Sequence, residues 1–157
     1  MTRDQLVDRL AEAIAKHEGF FVTAQQARAR GIKYPTMAQR NANPGNIRQW
    51  KDGCGRPYPK AGGYVDFVSW AMEPVHGVGS EQIMERALAE GWRVLKRLVL
   101  FYVNGRYTKG ASPSLRLMFA VYAPASDGND PESYARFVAE CAGLPIDSPL
   151  KNCHTPA

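Results

Sequence analysis

A chain of 157 residues with 45% hydrophobic and 22% charged side chains has the composition of a globular protein with one core, which excludes a charge-rich disordered polymer. No stretch approaches the ~18 to 20 consecutive apolar residues that a membrane-crossing helix needs. The balance of 20 Lys and Arg against 15 Asp and Glu, a net charge of +5, favours anionic partners without choosing among them.

Leu6, Leu10, Ala13, Ile14 and His17 recur at three- and four-residue intervals and predict a helix over about residues 3–17. Thr2 and Gln5 have the spacing of a capping box, and Gly19 is placed to end the helix. The same segment carries charges throughout and lacks the apolar centre of a signal peptide, so it displays no export route. From about 31 to 67 prolines and glycines interrupt every pattern, which predicts loops and short strands, with Gly63–Val68 the best strand candidate.

Ser80 opens a second helical stretch in which Ile83, Ala87 and Leu88 share a face. Gly91 is expected to break or bend it before a piece over Trp92–Val103 that turns Leu95, Leu98, Val99 and Tyr102 inward. Ser112-Pro113 reads as a cap and first helical residue ahead of Leu115, Met118, Phe119 and Tyr122. Asp130-Pro131 repeats that signal, with Tyr134, Phe137, Val138 and Cys141 on the buried side and Gly143 as the stop. After Pro145 little remains to pack. The expected architecture is mainly α, of the α+β kind, with one domain over 1–145 and a tail over 146–157.

Cys54, Cys141 and Cys153 contain no CxxC pair, and His76 and His154 lack partners at ligand spacing, so neither a metal nor a cofactor is expected. Cys141 and Cys153 admit one bridge, with free thiols the alternative. The basic residues, among them Arg28, Arg30, Lys33, Arg40, Arg48 and Lys51, form no run of five and read as a solvated surface. With no helix-turn-helix or zinc-finger spacing, no nucleic-acid partner is expected, and the chain is expected to be a monomer.

Three segments in order, Ala13-Ile-Ala-Lys-His-Glu-Gly-Phe20, Arg40-Asn-Ala-Asn-Pro-Gly-Asn-Ile-Arg48 and Tyr122-Ala-Pro-Ala-Ser-Asp-Gly-Asn-Asp-Pro-Glu-Ser-Tyr134, resemble phage-associated lysozyme-like and lytic transglycosylase-like domains. The resemblance implies a lysozyme-like helical domain that cuts the β-1,4 bond between N-acetylmuramic acid and N-acetylglucosamine in peptidoglycan, at the bacterial cell wall or in the periplasm. It makes Glu18 the catalytic acid, the Asn-Pro-Gly-Asn-Ile-Arg segment a cleft-lining loop, and the helix start at Tyr134 the far side of the cleft.

Residue chemistry agrees with the first of these roles. Glycosidic cleavage needs an acid still protonated near neutral pH, and a helix C-terminus beside apolar rings disfavours a carboxylate. Glu18, ahead of Phe20 and Phe21, sits at such a place. His17 points in another helical direction and makes no dyad with it. Asn43, Asn46 and Arg48 offer amide and guanidinium groups for sugar hydroxyls, acetamido groups or a lactyl carboxylate, although Asn-Pro-Gly-Asn is equally a turn sequence. Tyr64, Tyr122 and Tyr134 carry rings suited to stacking on sugars; spacing assigns Tyr122 to the core, and the resemblance assigns Tyr134 to the cleft.

Asp66, Glu73 and Asp127 are candidates for a second carboxylate, while Asp130 is better read as a helix cap. A hydrolase would use the second group on water, whereas a transglycosylase closes a ring with the sugar's own hydroxyl and needs one acid. The sequence admits both. It also admits a non-catalytic glycan-binding or phage virion domain on the same scaffold.

Overall fold

The computed structural model describes residues 1–156. The chain is mainly helical, and the one sheet among the described residues is a two-stranded antiparallel hairpin. It divides into two compact units, one made of Met1–His17 with the chain from Lys96 onward, the other of Glu18–Leu95. No described helix is long and apolar enough to cross a membrane.

In the first unit, α1 (Arg3–His17) begins at the predicted capping box. The Thr2 amide donates to Gln5 Oε1 at 2.8 Å, and the Gln5 amide donates to Thr2 Oγ1 at 3.1 Å. Its apolar stripe is buried as the periodicity predicts, with Leu6, Leu10 and Ile14 at 0% exposure. Helix α6 (Leu115–Tyr122) packs on α7 (Pro131–Ala142), which also contacts α1. Asp130 caps α7 through the Ser133 amide, Pro131 takes the first position and Gly143 closes the end. Arg116 on α6 forks to Glu132 of α7 and to Asp147, 2.8 Å from Nε.

Three expectations change here. Ser114, not Ser112, caps α6. Ser112 is engaged elsewhere, donating to the Val103 carbonyl at 2.7 Å and accepting from the Lys151 amide at 3.0 Å. Cys141 is exposed, because the buried stripe of α7 advances by fours through Tyr134, Val138 and Ala142 and leaves position 141 at its edge. The segment after Pro145 does pack. Leu150 is 0% exposed, and its amide donates to the Pro113 carbonyl at 2.8 Å. All three cysteines are free thiols.

The second unit contains α2 (Ala24–Arg30), α3 (Met37–Arg40), strands β1 (Lys60–Ala61) and β2 (Tyr64–Val65), α4 (Phe67–Ala71) and the start of α5 (Ile83–Val103). Helices α2 and α3 arise where none was predicted. Each is short and starts at a complete capping box, Thr23 with Gln26 and Thr36 with Gln39. The expected strand over Gly63–Val68 shrinks to two residues, paired as Lys60 with Val65 and Ala61 with Tyr64. Asp66 stops it by accepting the amides of Val68 and Ser69, which commits the chain to α4.

Gly91 neither breaks nor bends α5, which runs unbroken from Ile83 to Val103. The glycine is there for space. A Cβ at 91 would stand 2.1 Å from the Ala42 carbonyl oxygen and 3.0 Å from Pro44 Cδ. Gly45 has the same reason, since its Cβ would meet Leu95 Cδ1 at 2.6 Å. The loop over 41–48 thus lies directly on the middle of α5. Gly91→Ala would gain about 1 kcal/mol of helix propensity but must push that backbone aside, an overpacking cost of about 1–3 kcal/mol. Urea denaturation is expected to show a net loss of stability, opposite in sign to the same change at an exposed helical glycine.

Candidate functional site

Helix α1 ends at His17, and Gly19, at φ 79°, turns the chain in the left-handed region that glycine enters without steric cost. The turn is then fastened from α3. Thr36 Oγ1 donates to the Gly19 carbonyl at 3.1 Å, and Gln39 Nε2 donates to the carbonyls of Phe20 and Val22 at 3.1 and 2.7 Å. Thr36 and Gln39 are the two members of the α3 capping box, so each serves its own helix and the turn together. Glu18 stands half-buried at the start of this clamped segment. Beyond it, Phe20 meets Phe21 and Trp92 edge to face at 5.3 and 5.5 Å, and Phe21 remains 47% exposed.

The loop over 41–48 continues directly from α3. Ala42 and Asn46 both adopt left-handed backbone, at φ 51° and 47°, a strain of about 1 kcal/mol or more for alanine and less for asparagine. Surrounding bonds hold them there. Asn43 is 0% exposed, donates from Nδ2 to the carbonyls of Ile47 and Val65, and accepts the Ile47 amide, all at 3.0 Å. Asn41 Nδ2 donates to the Ala61 carbonyl, and the Asn41 carbonyl accepts the Phe67 amide. Asn43 is therefore a fixture of the loop and not a group facing a ligand. Hydrogen-bonding capacity remains at the other two nominated residues: Asn46 keeps a buried Oδ1 without a partner, and exposed Arg48 holds its guanidinium 5.8 Å from the Tyr64 ring.

The candidate second carboxylates are differently placed. Asp66 is 8% exposed and spends both oxygens on capping, Oδ1 on two amides and Oδ2 on Ser69 Oγ at 2.5 Å. Glu73 lies 3.9 Å from His76 Nε2, an ion-pair separation longer than a hydrogen bond. Asp127 belongs to the first unit, on an exposed single turn closed by Gly128. In that unit too, Tyr134 is only 3% exposed, its ring stacked on His17 at 3.7 Å and on Phe119 at 4.4 Å. That is a position in the packed interior, with its ring occupied by aromatic neighbours. Tyr122 joins the same group edge to face, as its spacing predicts.

One buried acid escaped the sequence. Glu90 on α5 is 7% exposed, accepts Arg93 Nε at 2.5 Å through Oε1 and the Tyr58 hydroxyl at 3.2 Å through Oε2. The Glu90–Arg93 spacing on one helix is visible in the sequence, but Tyr58, 32 residues away, is not. Burial, reinforced by the negative charge of Glu90, pushes the Tyr58 hydroxyl up to about 12. Tyr102, in the first unit, is raised to about 12 mainly by burial. No cluster of three or more potential metal ligands occurs among the described residues.

Asn43→Ala removes three buried hydrogen bonds and is expected to cost about 2–4 kcal/mol in urea denaturation, whereas Asn46→Gly, which preserves the left-handed backbone and removes an unmet acceptor, stays within about 1 kcal/mol of the parent. A tyrosine raised only in the folded state contributes stability that is complete below pH 10 and lost as pH climbs through 12. Absorbance titration of the native protein should therefore show a late tyrosinate phase, reduced in Tyr58→Phe.

No protein-family model, curated protein or solved structure matches the chain.

Proposed function

We infer that the chain is a peptidoglycan-cleaving glycosidase of lysozyme-like fold, with Glu18 as its general acid and the β-1,4 bond between N-acetylmuramic acid and N-acetylglucosamine as its target. The observation that carries this reading is the fastening of the turn after Glu18: three side-chain hydrogen bonds from Thr36 and Gln39 fix the backbone that presents the acid. A general acid acts through a single proton at a single oxygen, so its value depends on such positioning. The half-exposed ring of Phe21, with Phe20 and Trp92 behind it, supplies apolar surface of the kind on which sugar faces stack. Arg48 offers a guanidinium for the lactyl carbonyl or for a carboxylate beyond it, and Asn46 an acceptor for a donor entering the loop.

Single-acid chemistry suits this site better than a two-carboxylate mechanism, because Asp66 is consumed as a helix cap, Glu73 lies beside His76 and Asp127 stands on an exposed turn. Glu18 gives its proton to the bridging oxygen as the C1–O bond breaks. The resulting carboxylate then takes the proton of the muramyl C6 hydroxyl while that oxygen bonds to C1. The products are a 1,6-anhydromuramyl end and a free N-acetylglucosamine 4-hydroxyl, with Glu18 reprotonated and no water consumed.

Clearing of a peptidoglycan suspension by wild type and Glu18→Gln tests the assignment. The amide is expected to lower the rate by at least about 10²-fold with the circular dichroism spectrum unchanged, and mass spectrometry of the products to show anhydromuramyl ends. Reducing ends would instead indicate hydrolysis. Retention on the wall with no turnover at any pH would make the chain a glycan-binding or virion domain.

A further inference from the structure

The basic excess of this protein is not evenly distributed. Residues 19–51 contain six basic side chains, Arg28, Arg30, Lys33, Arg40, Arg48 and Lys51, and no Asp or Glu. The rest of the chain holds 14 basic against 15 acidic residues, so the whole net positive charge resides in this one stretch. All six side chains are exposed, and none is paired with a carboxylate among the described residues. Elsewhere acids match the bases in number, and some pair with them directly, as Asp8 does with Lys96 at 3.0 Å and Glu90 with Arg93 at 2.5 Å.

The segment is also tied to the Glu18 turn. Arg28 and Arg30 occupy the last turn of α2, Lys33 follows its cap, and Arg40 ends α3. Helix α3 grips the backbone of residues 19–22 through Thr36 and Gln39. The loop leading to Arg48 grows from α3 through the Asn43 amide, which donates to the Ala38 carbonyl. Arg40 thus ends the helix that clamps the turn after Glu18, Arg48 stands on the loop that grows from it, and Arg28, Arg30 and Lys33 lie on the chain between the turn and that helix.

We propose that the exposed bases of residues 19–51 bind the free carboxylates of the stem peptides borne by peptidoglycan, so that the enzyme selects peptide-bearing strands over bare glycan. The proposal rests on the wall-cleaving reading above. Four of the six bases are arginines, whose planar forked donors match a carboxylate. They are single exposed side chains on a seven-residue helix, a four-residue helix and the loops around them, unlike a row of contacts along one helix seated in a nucleic-acid groove. Stem peptides offer separate carboxylates hung on a neutral sugar backbone, which is the complementary pattern. Because the partners meet in water, the attraction is screened within about 10 Å at 0.1 M salt.

The test uses the full chain carrying Glu18→Gln, so that binding is read without cleavage, and compares it with the same chain also carrying Arg28→Gln, Arg30→Gln and Lys33→Gln. Co-sedimentation is measured with intact peptidoglycan, with amidase-treated strands stripped of peptide whose newly freed lactyl carboxylates have been converted to methylamides, and with duplex DNA held on beads. Intact wall is expected to bind at least tenfold more tightly than stripped strands, with the advantage lost in the triple variant and in 0.5 M salt. An equal affinity for both wall preparations overturns the proposal, as does an unchanged advantage in a triple variant whose thermal unfolding matches the parent. Loss of DNA binding alone would reassign the charge to nucleic acid. In the active background, wild type that cleaves neither preparation refutes the proposed activity, whereas equal cleavage of both refutes only the selectivity.

Discussion

The hydroxyl of Thr36 is asked to do two things. It accepts the Gln39 amide to start a helix of four residues, and it donates to the carbonyl of Gly19. The Gln39 side chain is divided in the same way, its oxygen returned to the Thr36 amide and its nitrogen given to two carbonyls beyond Glu18. A helix this short has almost no stability of its own, because nucleation costs more than one turn of hydrogen bonds returns. The clamp supplies what the helix lacks, and the helix in turn keeps the clamp's donors aimed. Neither persists without the other, so the backbone after Glu18 is held by a cooperative unit and not by a single bond.

The loop after α3 extends that unit to α5 by close approach. Ala42 in left-handed backbone and Gly91 without a side chain are two halves of one contact, the carbonyl of one filling the space the other leaves. Strained backbone of this kind survives only when its surroundings over-determine it. Asn43 provides the determination, closing the loop onto its own Ile47 and onto Val65 of the hairpin. Glu90, one residue before the contact, holds Tyr58 and Arg93 and so fixes the next part of the chain to the same helix.

What was legible in the sequence had local causes. Helix α1 could be read because its cap, its stripe and its terminating glycine agree, and α7 because Asp130, Pro131 and Gly143 mark both ends. The position of Glu18 at the end of α1 followed from the same signs. Helices α2 and α3 were obscured because their signal is a Thr-x-x-Gln box with no apolar stripe long enough to follow it. The clamp on the turn spans 17 to 19 residues, beyond the reach of any periodicity. Asn43 looked like a ligand group because an asparagine's chemistry is the same whether it faces a sugar or a carbonyl; only the fold decides. Gly91 looked like a helix breaker for the corresponding reason, since the carbonyl it makes room for comes from a residue far back in the chain.

Arg116 joins α6 to Glu132 of α7 and to Asp147 beyond it with one side chain. A lysine there would conserve the charge and lose the fork, so it would satisfy one acid by abandoning the other. The acids are unequal in what they have left: Glu132 still has Arg136, at 2.9 Å, whereas Arg116 is the only ion-pair partner of Asp147 among the described residues. Across descendants of this chain, substitution at 147 is therefore bound to the history of position 116, while position 132 has a second anchor and is freer to drift.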